Sequence, residues 1–192
     1  MLKYTQGDAS QYAMPYADMG IDVDAALKAA DIAQYTVDIG TNQDGKLVGL
    51  GYQATGGAFI YRRSIAQDVW GTDDPAEIAK KIGPGWDQFF AAAEELKAKG
   101  YGIVSGDGDI WHAVENSSDA GWIVDGKLNI DPKREEFLDL SKKLKDNGYH
   151  NDTQDCQDAC FADIKGEGEK EVLGFFCPAW LINYTMAPNC GR

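Results

Sequence analysis

The chain has 192 residues, 44% of them hydrophobic and 26% charged, which is the balance of a folded protein and not of a disordered one. With 31 acidic against 18 basic residues, its formal net charge of −13 argues against binding nucleic acid, which needs Lys and Arg to neutralise phosphates, and against adhesion to anionic lipid through a basic surface. A neutral or cationic small solute fits that charge, and so does an acidity that serves only solubility.

Residues 1–38 read as two amphipathic helical pieces separated by Gly20, the first carrying Tyr4, Tyr12 and Tyr16 and the second an alanine-rich run over 22–33. A turn over 42–46, a strand over 47–53, a glycine-rich break over 55–57 and a second strand over 58–62 follow. Trp70 falls in a loop. Asp74 and Pro75 open a helix in which Asp74 caps, Pro75 suits the first helical position and Glu77 completes a capping box. The helix over 87–99 lines up Phe89, Ala93 and Leu96 and ends at Gly100, where a left-handed residue closes it. Residues 101–104 form a short buried strand. The glycine-rich segment 105–110 leaves it as a polar loop, with Trp111 behind it.

Trp122 precedes Asp125-Gly126-Lys127, a hairpin-like turn, and can pack or bind. Asp131 and Pro132 open another helix, with Phe137, Leu140 and Leu144 inward and Gly148 as its stop. Residues 172–176 are an apolar strand broken by Pro178, and Trp180 lies just past it. Strands alternating with helices indicate an α/β domain.

In open α/β sheets ligands settle outside the carboxyl ends of the strands, which is where Trp111 and Trp180 fall. A sugar ring offers a C–H face that stacks on an indole and a rim of hydroxyls for carboxylates and amides. Trp111 with Asp107 or Asp109, and Trp180 with Asn183 or Tyr184, supply that mixture. Each Trp can also simply fill the core. Asp107 and Asp109, with Glu115, are the carboxylates that a small glycan-acting hydrolase would use, although a two-residue spacing does not set the separation such chemistry needs.

No calcium loop, phosphate loop or nucleophile elbow is present, and no cofactor is expected. All four cysteines, Cys156, Cys160, Cys177 and Cys190, lie in the last fifth of the chain; they allow three pairings or none. Neither histidine, His112 or His150, stands at zinc-ligand spacing from a cysteine pair, so no metal site is expected.

The order Asp44-Gly45-Lys46 with Leu50, then Tyr61-Arg62-Arg63, then the helical Trp86-Asp87-Gln88-Phe89 resembles the extracellular solute-binding proteins of bacterial ABC importers, in particular their carbohydrate-binding branch. The resemblance covers most of the chain. It implies a periplasmic-binding-protein-like lobe of α/β class, helix-rich around a small mixed sheet. It also implies that Trp111 and the segment Cys177-Pro178-Ala179-Trp180 are stacking surfaces and that Tyr52 and Gln53 face the cleft. Cys177 replaces the family's usual Gly before the proline, and Gly85 replaces its usual Thr before Trp86, which weakens a helix cap.

The expected role is a sugar-binding, non-enzymatic component that delivers its ligand to the transmembrane subunits of an ABC permease. It would work outside the cell as a lipoprotein or in the periplasm, touching the membrane only through a lipid anchor absent from this chain. Residues 1–50 are expected to be the tail of a first lobe and the first hinge crossing, and 51–192 an incomplete second lobe. No signal-peptide core follows Met1, which taken literally makes a soluble cytoplasmic protein; the resemblance to exported proteins, with the abrupt stop over 189–192, implies instead a fragment holding half of a binding cleft.

Overall fold

The computed structural model describes residues 12–51, 56–154 and 157–190, and the chain divides into two compact units, Met1–Thr55 and Gly56–Arg192. In the first unit a 3-10 turn, Ala17–Met19, precedes two short helices, α1 (Asp24–Ala29) and α2 (Gln34–Gly40). The expected first helix is reduced to that turn within the described residues, with Pro15 and Gly20 on either side, and Tyr4 lies outside them. The turn after α2 forms as the sequence indicates. Asn42 Oδ1 accepts the amides of Asp44 and Lys46 at 3.0 and 2.9 Å, and Gly45 takes φ of 73°.

The strand expected over 47–53 does not form across 48–51. Only Leu47 bridges back to Thr41, while the amides of Val48 and Gly49 both turn onto the Gly40 carbonyl at 2.9 and 3.2 Å. With Gly49 and Gly51 in this stretch, little side chain is available to hold an extended strand. Tyr52 and Gln53 lie outside the described residues.

The second unit is built on β1 (Gly57–Tyr61) and β4 (Gly174–Pro178), paired antiparallel with Gly57 opposite Pro178 and Tyr61 opposite Gly174. Pro178 therefore ends the strand instead of breaking it earlier; at the last ladder position its missing N–H costs little. Two further segments extend this pair through parallel bridges, Gly102 to Val172 and Val104 to His150. Backbone bonds continue the pattern, from Gly102 N to Glu171 O (2.9 Å), Leu173 N to Gly102 O (2.8 Å) and Ile103 N to Tyr149 O (2.8 Å). The sheet is small and mixed, as the resemblance implies, and most of the unit is helical.

Between the strands run α3 (Arg63–Trp70), α4 (Pro75–Ile82), α5 (Trp86–Ala98), α6 (Asp107–Asn116), α7 (Pro132–Asp146) and α8 (Asp158–Lys165), with a hairpin of β2 (Ile123–Val124) and β3 (Lys127–Leu128) between α6 and α7. Their ends follow the local chemistry. Asp74 accepts the amides of Ala76 and Glu77, Asp131 accepts that of Lys133, and Gly100 and Gly148 close their helices at φ of 87° and 61°. Glu77 does not complete a capping box; its carboxylate pairs with Lys80 at 2.7 Å. Trp70 is the last residue of α3 and not a loop residue, half-buried against the core with its indole N–H on the Glu95 carboxylate.

Alternation along β4 separates two apolar clusters. Phe176 packs with Phe59 and Phe89, at ring separations of 4.9 and 6.1 Å, in the larger cluster, which takes Ile65, Ile78, Leu96, Ile110, Leu140 and Leu144 from α3 to α7 and Ile103 from the strand segment before α6. Phe175 and Cys177 point the other way, onto Cys160 and Ile164 of α8 and Met186. Cys156, which the sequence places on one helical face with Cys160, lies outside the described residues.

Two stability predictions follow from this frame. Leu144, fully buried between α7 and the sheet, should cost about 2–5 kcal/mol when replaced by alanine, read as a lower urea midpoint at unchanged slope. The Asp131 carboxylate is held below its ordinary range first by the Lys133 amide and then by those of Asp119 and Ala120, with Arg134 adding to it. A depressed carboxyl stabilises the fold above its unfolded value and loses that contribution as pH falls through the folded one. The gap in thermal midpoint between wild type and Asp131→Asn should therefore be full at pH 7 and close below about pH 4.

Candidate functional site

The carboxyl end of the small sheet is organised by two buried carboxylates. Asp109, 5% exposed in the first turn of α6, accepts the amides of Ser105 and Gly106 on one oxygen and that of Phe176 in β4 on the other, each at 3.2 Å. Reaching back to the helix's own N-cap amide is half of a capping box. Asp163 of α8, 1% exposed, accepts from Ser105 Oγ at 2.5 Å, Thr153 Oγ1 at 3.1 Å and Asn151 Nδ2 at 2.6 Å. One carboxylate thus gathers the residues that follow two neighbouring strand segments. Arg62, at the end of β1, donates through Nη2 to the carbonyls of Asp163 and Ile164 at 2.9 and 2.6 Å and so fixes the C-terminal turn of α8.

These positions correct part of the sequence reading. Residues from Asp107 onward are helix, not loop, so Trp111 projects from the second turn of α6. Asp107 and Trp111, four apart, share a helix face turned to α7: Asp107 accepts from Ser141 Oγ at 2.6 Å, and the half-buried Trp111 ring meets Phe137 edge-on at 5.0 Å. Asp109 is buried with both its oxygens on backbone amides, while Asp107 bonds Ser141, so the two carboxylates have different surroundings. Glu115 is far along α6, in a long 3.5 Å contact with the Trp122 indole, over which Arg134 stacks at 4.4 Å. The Asp125-Gly126 turn before Lys127 is the hairpin turn expected, with both residues at positive φ.

Trp180 is exposed, as Trp122 is at 43%, but it stands beyond the end of β4. Immediately beyond β4 the chain turns helical through Ala179–Leu181, a π turn Ile182–Met186 and Ala187–Asn189. Trp180 is 49% exposed and Tyr184 80% exposed, and their rings meet edge-on at 6.2 Å. The inward side of the same segment is held by Thr185 and Met186. Single-turn π geometry recurs at functional sites because it re-aims side chains.

Ser105, Asn151, Thr153 and Asp163 are the residues sequence reasoning missed. No local pattern marks them, since each partner is remote in the chain. For the helical placement of Trp111 a signal was present: Ile110 and Val114, four apart, are both buried, and Asp109 stands at the third helical position.

The sequence model of the family described as bacterial extracellular solute-binding protein matches residues 4–164. Among solved structures, a crystal structure of an extracellular solute-binding protein family 1 superposes with a TM-score of 0.74 at 23% identity over 94% of this chain. The galacto-N-biose-/lacto-N-biose I-binding protein of the ABC transporter from Bifidobacterium longum, in complex with lacto-N-biose, gives 0.68 at 18% identity over 92%. The ABC transporter associated binding protein from B. animalis subsp. lactis Bl-04, in complex with beta-1,6-galactobiose, gives 0.59 at 22% identity over 93%. This chain spans 45%, 42% and 46% of those three structures respectively. No curated protein matches it. With the family's sequence model covering most of its length and the fold shared with these binding proteins, the chain belongs to the bacterial extracellular solute-binding proteins.

Proposed function

We propose that this chain forms part of the substrate-binding component of an ABC importer, that its solute is a neutral sugar or oligosaccharide, and that Trp180 and Tyr184 form a stacking wall for it. One observation carries the reading: a tryptophan and a tyrosine, exposed and in mutual contact, stand beyond the carboxyl end of the central strand on a segment whose core-facing side is held by other residues. Exposed indole and phenol faces suit the C–H face of a pyranose. A charge of −13 favours an uncharged solute over an anionic one.

Asp107 and Trp111, on one face of α6, are proposed as the polar and aromatic edge of the same surface, and Tyr52 and Gln53 as contributors from the hinge. Asp109 is assigned the task of seating α6 against β4, which holds Asp107 in place. The sugar would be enclosed between this lobe and a second one, as burial of most of a small ligand requires. The closed protein would then present it to the permease subunits from the outer face of the membrane, held there by a lipid anchor or retained in the periplasm. The sugars bound by the two structurally similar proteins, lacto-N-biose and beta-1,6-galactobiose, make neutral disaccharides the first ligands to try.

Titration calorimetry of the protein carrying both lobes, against a panel of neutral disaccharides, tests this. Trp180→Ala should weaken the best ligand roughly tenfold or more, about 1.4 kcal/mol, and Tyr184→Ala less, with the thermal midpoint of Tyr184→Ala unchanged because that side chain is largely exposed. Equal affinity in Trp180→Ala, or no carbohydrate binding by the wild type, would sink the assignment.

A further inference from the structure

His150 is buried, at 6% exposure, in the segment that bridges to Val104, and its ring is used in a specific way: Nδ1 accepts the backbone N–H of Asp152 at 2.9 Å. Only an unprotonated nitrogen can do this. The bond closes a tight turn in which Asp152 takes φ of 57°, a conformation that side-chain-bearing residues rarely adopt. What the turn supports is the strand-end apparatus described above. The amides of Asn151 and Thr153 donate to Ser105 O at 3.1 and 3.3 Å, and the side chains of both reach Asp163. Gly106 packs so closely on the turn that a Cβ there would sit 1.9 Å from Thr153 O. Residues 105 and 106 in turn launch α6 with Asp107 and Trp111.

We propose that His150 makes residues 151–153 an acid-sensitive latch, closed while its imidazole is neutral and released when it is protonated, so that the start of α6 loosens at low pH. A protonated Nδ1 presents a hydrogen to the Asp152 N–H and the bond is lost. The Asp152 carboxylate acts in the same sense. Now bonded to Lys145 of α7 at 2.9 Å, it gains an imidazolium as a rival partner. Asp107 of α6 adds to the field at Lys145. Lys170 bonds the His150 and Gly148 carbonyls at 2.9 and 2.8 Å and keeps the strand itself in place, so the change is confined to the turn. Weaker solute binding in acid would follow, and that consequence rests on the function proposed above.

The test needs no ligand. In the full-length protein, amide signals of Asp152 and Thr153 should shift between pH 8 and 5 together with the ring signals of His150, and the Asp152 amide should lose roughly tenfold of its exchange protection after correction for intrinsic rates. His150→Asn, whose side-chain oxygen can accept the same amide but takes no proton, should keep protection flat across that range, and His112→Asn should behave as wild type. Wild-type amides that do not move with the His150 ring overturn the latch, as does an equal pH response in His150→Asn. Because these readings concern the turn alone, they stand or fall apart from any result with sugars.

Discussion

The Asp109 carboxylate sits where a helix and a strand must be joined without water. The first amides of a helix have no partner within it, and at the buried end of a sheet solvent cannot supply one. By accepting Ser105 and Gly106 with one oxygen and Phe176 with the other, Asp109 satisfies the start of α6 and pins it to β4 in a single residue. The orientation of α6 follows, and with it the antiparallel match to α7 in which Asp107 meets Ser141 and Trp111 meets Phe137. Were that carboxylate absent, the buried amides would lose their partners at a cost of about 1–3 kcal/mol each.

Asp163 solves the same problem from the other side of the sheet. Its side chain collects the hydroxyls of Ser105 and Thr153 and the amide of Asn151, and its carbonyl receives Arg62, so strand ends and the end of α8 are held by one short polar network. A buried polar network of this kind favours one arrangement, because a partial rearrangement strands further polar groups in a low-dielectric interior. Trp180 and Tyr184 can remain exposed because the strand beneath them is already covered on both faces, by Phe59 and Phe89 on one side and by Cys160 and Ile164 on the other.

The helix starts at Asp74 and Asp131, the stops at Gly100 and Gly148 and the hairpin turn at Asp125 were legible because each is decided by residues within one turn of chain. The position of Trp180 just past an apolar strand was legible too, because Pro178 marks the strand's end. Asp109 was misread for an identifiable reason. A carboxylate in a Gly-rich segment looks solvent-facing, while the partner that buries it, Phe176 N–H, is 67 positions away. The segment 48–51 failed in the opposite sense, since Gly49 and Gly51 remove the side chains that would hold a strand.

By itself the sequence determined the α/β class, the approximate order of elements, the acidity and the resemblance to solute-binding proteins, because composition, caps and short motifs are local quantities. Only the tertiary structure decided which carboxylates are taken up by backbone amides, and which tryptophans pack and which stand exposed. It also revealed that a histidine closes the turn beneath the site. Those outcomes depend on contacts between residues far apart in the chain, and burial, which sets whether a polar group must find a protein partner or can use water, exists only once those contacts are made.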